Sequence, residues 1–225
     1  MASVAAIGFD VYGTLVDPLG IGDELRKFVG EDAERVAQLW RTTQLEYTWR
    51  RSLMGLYEPF SVCTAHALDF AARSLGHEIG AEAAATLLQA YRQLPAFADA
   101  VQGLTRMRER GARMVAFSNG EADFVRAVLT HAGLLAMFAD VVSVDEIKTY
   151  KPASAVYRHL AQRTGTTLSE TWLVSSNPFD VIGAKAAGLR TAWVRRNPRA
   201  LLDPWGIEAD LVVTNLIELG ERLAG

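Results

Sequence analysis

Cysteine is almost missing from this chain. Cys63 is the single one, so neither an internal disulfide nor a cysteine-built metal cluster can form within it. Its helical-type neighbours make it a small buried hydrophobe. Histidine is scarce too: His66, His77, His131 and His159 fall on separate predicted helices at no ligand spacing, which removes zinc and Ser-His-Asp readings. Charge has no strong excess of one sign, with a net of -3 at pH 7. Neither nucleic acid nor an anionic membrane is therefore expected as a partner. The local cluster Arg195, Arg196 and Arg199 reads as solvated surface. Long apolar runs are lacking as well. The run at the start has no basic region before it and stops at Asp10, so it is neither a secretory signal nor a membrane span. A reducing cytoplasm is the expected location. There is no internal repeat and no low-complexity segment.

What is present is an ordinary globular composition, half apolar and 22% charged, which argues against disorder. At 225 residues the chain can bury one sizeable core, or a core with a smaller companion. An apolar run over 4–9 predicts a buried strand. About eighty residues of helical pattern follow. Residues 31–53 carry Val36, Leu39, Trp40, Thr43 and Tyr47 on one stripe. Ser61 is placed to cap a second helix that ends at Gly76. A third runs over 81–94 and closes at Pro95.

From about residue 98 the rhythm alternates. Strands are predicted over 114–117, 140–143, 172–174, 191–194 and 210–213, with helices between them, and Pro152 suits the first turn of one helix. Such alternation means a parallel sheet covered on both faces. The first strand joins it most economically, which makes the core discontinuous (residues 1–17 and 98–225) around a helical cap (residues 18–97).

Polar clusters follow four of the apolar runs: Asp10 with Gly13 and Thr14, Ser118-Asn119-Gly120, Lys151-Pro152, and Ser175-Ser176-Asn177-Pro178-Phe179-Asp180. In open α/β sheets the carboxyl ends of strands are where ligands bind. Each cluster alone has a plainer reading. Asp10 could begin a turn, Ser118 and Asn119 could cap a helix, Lys151 could lie on the surface and Asp180 could face a helix dipole. Four in one order suggest a shared site.

In that order they resemble the haloacid dehalogenase superfamily over essentially the whole chain, which implies a Rossmann-like core with an inserted helical cap. The phosphatases of that superfamily place a second Asp two residues after the nucleophile to protonate an alkoxide, and another Asp for magnesium in the fourth motif. Here Tyr12 and Ser175-Ser176-Asn177 stand in those places. A halide leaves as a stable anion without a proton, and one Lys can neutralise a monoanionic substrate. The closer resemblance is therefore to the L-2-haloacid dehalogenases, supported by Tyr150-Lys151-Pro152 with Tyr157, and by the cap stretch from Trp40-Arg41 to Gly55.

That resemblance implies no metal and no cofactor, a 2-haloacid substrate, a halide product and a homodimer. It makes Asp10 the nucleophile, helped by Thr14 and Lys151, with Asp180, Ser175 and Asn177 around the hydrolytic water. Ser118, Asn119 and the backbone near Tyr12 would hold the substrate carboxylate. Arg41, the Asn119 amide and the Phe179 ring edge would cradle the halide. Leu45 and Phe60 would line the apolar side, and Tyr157 would brace Lys151 or Asp180. Arg50 and Arg51 rival Arg41, and Leu45 and Phe60 suit the core equally well. The alternatives are a magnesium-dependent phosphatase of the same superfamily, or a catalytically silent member that only binds.

Overall fold

The computed structural model describes residues 6–223. Val4 and Ala5, expected in the first strand, lie outside that range. Six parallel strands form one sheet: β1 (Ala6–Phe9), β2 (Met114–Ser118), β3 (Asp140–Ser143), β4 (Thr171–Ser175), β5 (Arg190–Val194) and β6 (Leu211–Val213). Their order is β3-β2-β1-β4-β5-β6. β1 is central, pairing Phe9 with Ala116 on one side and with Val174 on the other. It is buried at every residue, as suits a strand covered on both faces. The chain builds outward from β1 to β3, then crosses back to start β4 on the other side of β1. The direction of winding reverses there, and β1 and β4 both point their carboxyl ends at that switch point.

Between β1 and β2 the chain is helical: α1 (Gly22–Val29), α2 (Ala33–Met54), α3 (Phe60–Ser74) and α4 (Ala81–Ala90), then α5 (Ala100–Glu109), which leads into β2. The later helices are α6 (Ala122–His131), α7 (Ser154–Thr164), α8 (Pro178–Ala186) and α9 (Leu216–Arg222). α1 falls within the stretch whose pattern is generally helical, and Leu25 and Val29 give it a buried side. Trp40, Phe60, Leu68 and Tyr91 of the insert belong to the same buried cluster as Ile7 and Phe9 of the sheet. Tyr12 joins the two parts, its ring lying 5.6 Å from Phe60 and 5.7 Å from Tyr91.

Polar contacts cross the same seam. The Tyr57 hydroxyl donates to Asp145 at 2.6 Å, and the Tyr150 amide donates to Ser52 Oγ at 3.1 Å. Ser61 does not cap α3. The helix begins one residue earlier, and the Ser61 amide and hydroxyl both donate to the Glu121 carboxylate. A carboxylate from the core thus takes the place of the cap, favoured by the positive end of the helix. Pro152 precedes α7 instead of entering it: the Lys151–Pro152 peptide is cis, and Ala153 N donates to Tyr150 O in a turn. The helix predicted to reach Leu94 stops at Ala90 and continues as a 3₁₀ turn over Tyr91–Gln93.

Candidate active site

Asp10 stands one residue beyond β1, 6% exposed. The turn that follows needs Gly13, whose φ of +95° is costly for other residues, and a Cβ there would approach Asn177. Both carboxylate oxygens of Asp10 are engaged. Oδ1 accepts from Lys151 Nζ at 3.0 Å. Oδ2 accepts from Thr14 Oγ1 at 2.7 Å and from Asn177 Nδ2 at 2.8 Å. Thr14 is fixed in turn by Ser176 N, which donates to its hydroxyl at 2.8 Å.

Lys151 is 1% exposed and its ammonium is fully used. It donates to Asp10 Oδ1, Asp180 Oδ2 and the Phe117 carbonyl, each at 3.0 Å, and lies 4.3 Å from the centre of the Phe117 ring. Burial opposes its charge, but the carboxylates of Asp10 and Asp180 outweigh that and hold its pKa above the usual lysine range. Asp180, in the first turn of α8, is completely covered. Burial pushes its pKa up, with Lys151 and the Tyr157 hydroxyl pulling the other way.

Tyr157 is completely covered and sits behind Asp180. Its hydroxyl donates to Asp180 Oδ1 at 2.8 Å, and it reaches there only because residue 183 is glycine: a Cβ would come within 2.7 Å of that oxygen. Ser175 is buried and accepts from Asn177 N at 3.1 Å, so it shapes the turn and makes no hydrogen bond to Asp10. Ser118 Oγ accepts from Gly120 N, and Asn119 Oδ1 accepts from Lys151 N, so neither side chain caps α6.

The helical insert supplies the opposite wall. Arg41 on α2 donates from one amino group to the Tyr12 carbonyl at 3.1 Å and from the other to Gln44 Oε1 at 2.8 Å. Its rivals face elsewhere: exposed Arg50 pairs with half-buried Glu46, and Arg51 meets Leu56 O and His66. Phe60 is buried against Tyr12 and Tyr150. Leu45 is half-buried one helical turn from Arg41. Half-buried Phe179 meets Trp49 edge-on at 5.2 Å. A mainly apolar groove of about 730 Å³ runs past Trp49, Lys151, Phe179 and Trp205.

Gln44 was missed by sequence reading. Its signal was weak: a position three residues after Arg41 on a helix, where side chains can meet. The Phe117 carbonyl had no signal, because every residue has one.

The donor set does not suit a divalent cation. Magnesium takes oxygen ligands in octahedral array, but the Asp10 and Asp180 carboxylates both face the Lys151 ammonium. Among the described residues no group of three or more His, Cys, Asp or Glu is arranged to hold a metal ion.

A Rossmann-like sheet that presents a carboxylate at its switch point beneath a helical insert defines a class, the capped α/β hydrolases. More particularly, the chain belongs to the haloacid dehalogenase-like hydrolases, whose family model matches residues 4–188. It is 38% identical to the (S)-2-haloacid dehalogenase of Pseudomonas sp. (strain YL), over 100% of this chain and 98% of that one. It is 39% identical to (S)-2-haloacid dehalogenase 1 of Pseudomonas sp. (strain CBS-3), over 87% of this chain and 86% of that one. The structure of L-2-haloacid dehalogenase from Xanthobacter autotrophicus with chloropropionic acid covalently bound superposes with a TM-score of 0.93 at 32% identity, covering 99% of each chain.

Proposed function

We propose that this protein hydrolyses short (S)-2-haloalkanoates to (R)-2-hydroxy acids and halide, through an ester on Asp10. The carrying observation is the Lys151 ammonium held 3.0 Å from both Asp10 and Asp180, with Tyr12 where a proton donor to an alkoxide would stand. A carboxylate has roughly four lone-pair sites. On Asp10 both at Oδ2 are taken by Thr14 and Asn177, while Oδ1 meets Lys151 alone. Oδ1 is therefore the oxygen free to attack C2 from behind, forming the C–O bond as the carbon–halogen bond breaks and the halide leaves with the electron pair. Holding the atoms in line supplies up to about 7–11 kcal/mol.

Water then adds to the Asp10 carbonyl carbon. Negative charge develops on Oδ2, where the Thr14 hydroxyl and Asn177 amide already donate, as an oxyanion hole would. Asp180 takes the water's proton. The Cγ–Oδ1 bond then breaks and Oδ1 leaves as the product's alcohol oxygen. It takes one of the water's two protons and the other passes to solvent, so C2 is inverted once and Asp10 and Asp180 both return to carboxylates. Ser118 and Asn119 hold the substrate carboxylate. Arg41, Asn119 and the Phe179 edge meet the halide, and Leu45 and Phe60 face its apolar side. The covalently bound chloropropionic acid of the Xanthobacter autotrophicus structure supports the ester.

Halide release from (S)- but not (R)-2-chloropropanoate is the test, together with one turnover in heavy-oxygen water. Label in Asp10 and none in the first product is expected. Label in the first product would sink the ester route, and magnesium-dependent phosphate release without halide would replace the function.

The reading extends to a cytoplasmic homodimer. Exposed Leu53, Met54, Leu56 and Phe70 on and beside α2 and α3 support a second copy there, and sedimentation at micromolar concentration checks it. Among the described residues no helix is long and apolar enough to cross a membrane.

A further inference from the structure

Arg41 owes its aim to a polar chain inside the helical insert. Gln44 is completely covered, a costly place for an amide unless its oxygen and nitrogen both find partners. Both do. Nε2 donates to Thr64 Oγ1 at 2.6 Å, while Oε1 accepts from Arg41 at 2.8 Å and from the Tyr91 hydroxyl at 3.1 Å.

The orientation of that amide follows from the protons available. Thr64 has one hydroxyl proton and gives it to the Phe60 carbonyl at 2.7 Å, so its oxygen can only accept from Gln44. A guanidinium has donors alone, so the amide must turn its oxygen to Arg41. Flipping it would set donor against donor on one side and acceptor against acceptor on the other. Thr64 is itself anchored, because Trp40 Nε1 donates to its carbonyl at 2.8 Å. The Tyr91 ring lies between those of Trp40 and Tyr12, at 5.1 and 5.7 Å.

At its other end Arg41 meets the Tyr12 carbonyl, which also accepts from Asn177 Nδ2 at 3.0 Å, and Asn177 bonds Asp10. An unbroken run of hydrogen bonds therefore links the nucleophile to the interior of the insert: Asp10, Asn177, Tyr12, Arg41, Gln44, Thr64. We infer that Gln44 is a positioning residue, fixing the Arg41 guanidinium over the Tyr12 carbonyl where the departing halide meets it. This rests on the dehalogenase reading above. It adds a residue that touches neither substrate nor nucleophile and acts only on the carbon–halogen step.

The test separates the two half-reactions by rapid quench. Gln44→Met keeps length and helix propensity but offers Arg41 no acceptor. Ester formation on Asp10 should slow about tenfold to hundredfold, the scale of a small misplacement, with ester hydrolysis unchanged. The loss should be larger for 2-chloro- than for 2-bromo- or 2-iodopropanoate, because a smaller halide concentrates more charge. Thr64→Val, close in shape, should repeat the pattern more weakly and guards against misfolding of the first variant. Equal slowing of both steps, or equal loss for all halides, would mean a merely structural role and overturns the inference, as does no loss at all. Crystals of the wild type and of Gln44→Met give an answer independent of activity: the guanidinium should leave the Tyr12 carbonyl in the variant. If it stays, the inference is wrong. A wild type that releases no halide from any 2-haloacid sinks the dehalogenase reading instead, and the crystals still decide whether Gln44 aims Arg41.

Discussion

The floor of the site and its roof are held by different means. On the floor, Asp10, Thr14, Lys151 and Asp180 are buried side chains on the segments that follow β1, β3 and β4, each bonded to at least one other of the set. Removing one takes a hydrogen-bond or ion-pair partner from another in a dry place. On the roof, Arg41 comes from α2, is half-buried, and reaches the floor through a single backbone carbonyl. Its rigidity comes from behind, through Gln44. Asp10 is thus fixed redundantly and Arg41 through one chain of contacts. Changes in the floor should damage chemistry and fold together, and changes in the roof should damage chemistry alone.

The sharpest attack on that contrast is at Asp10, the proposed nucleophile. Asp10→Asn puts a neutral amide in place of the attacking oxygen and should cost about 10⁴-fold or more in kcat, read as halide released. Wild-type turnover would remove the covalent step. Lys151→Met comes next. It strands two buried carboxylates, so activity should fall and stability should drop by about 3–5 kcal/mol, measured as a shift in the urea midpoint. A variant as stable as the parent would deny the floor its interlocking character.

Arg41→Lys keeps the charge but loses the fork that spans Gln44 and Tyr12. It should lower kcat/KM for 2-chloropropanoate about 10²-fold while the urea midpoint stays in place. A large loss of stability would erase the distinction between roof and floor. The smallest effect is expected from Tyr157→Phe. The Tyr157 hydroxyl pulls the burial-raised pKa of Asp180 downward, so its loss should raise that pKa further. In the proposed mechanism Asp180 must be ionised to take the water's proton, so activity should rise as pH climbs through its pKa. The acid limb of the pH–rate curve should therefore move to higher pH. A shift to lower pH would show that Asp180 does not govern that limb.

The same contrast explains what could be read in advance. The floor was legible because a strand end is a local event: an apolar run, then Asp10, Ser118 or Ser175, each at a position that the parallel sheet brings to one edge. The roof was not. Arg41, Arg50 and Arg51 share one helix and similar neighbours in the chain, and only packing turned Arg50 to Glu46, Arg51 to His66 and Arg41 inward. Tyr157 is expected from the resemblance to brace Lys151 or Asp180, and its hydroxyl donates to Asp180. It lies behind Asp180, admitted by the missing side chain of Gly183. Ser61, read as a helix cap from its own few residues, instead meets Glu121 from the core.

Apolar runs of two distinct periods, broken by glycine, proline and polar clusters, were enough to determine the alternating sheet, the helical insert and the candidates along one edge, because those signals act over a few residues. The tertiary structure alone decided which arginine turns inward, which oxygen of Asp10 meets Lys151 alone and what holds the guanidinium in place. Those outcomes depend on hydrogen-bonding atoms drawn together from segments tens of residues apart, and the sequence near each one leaves their partners unspecified.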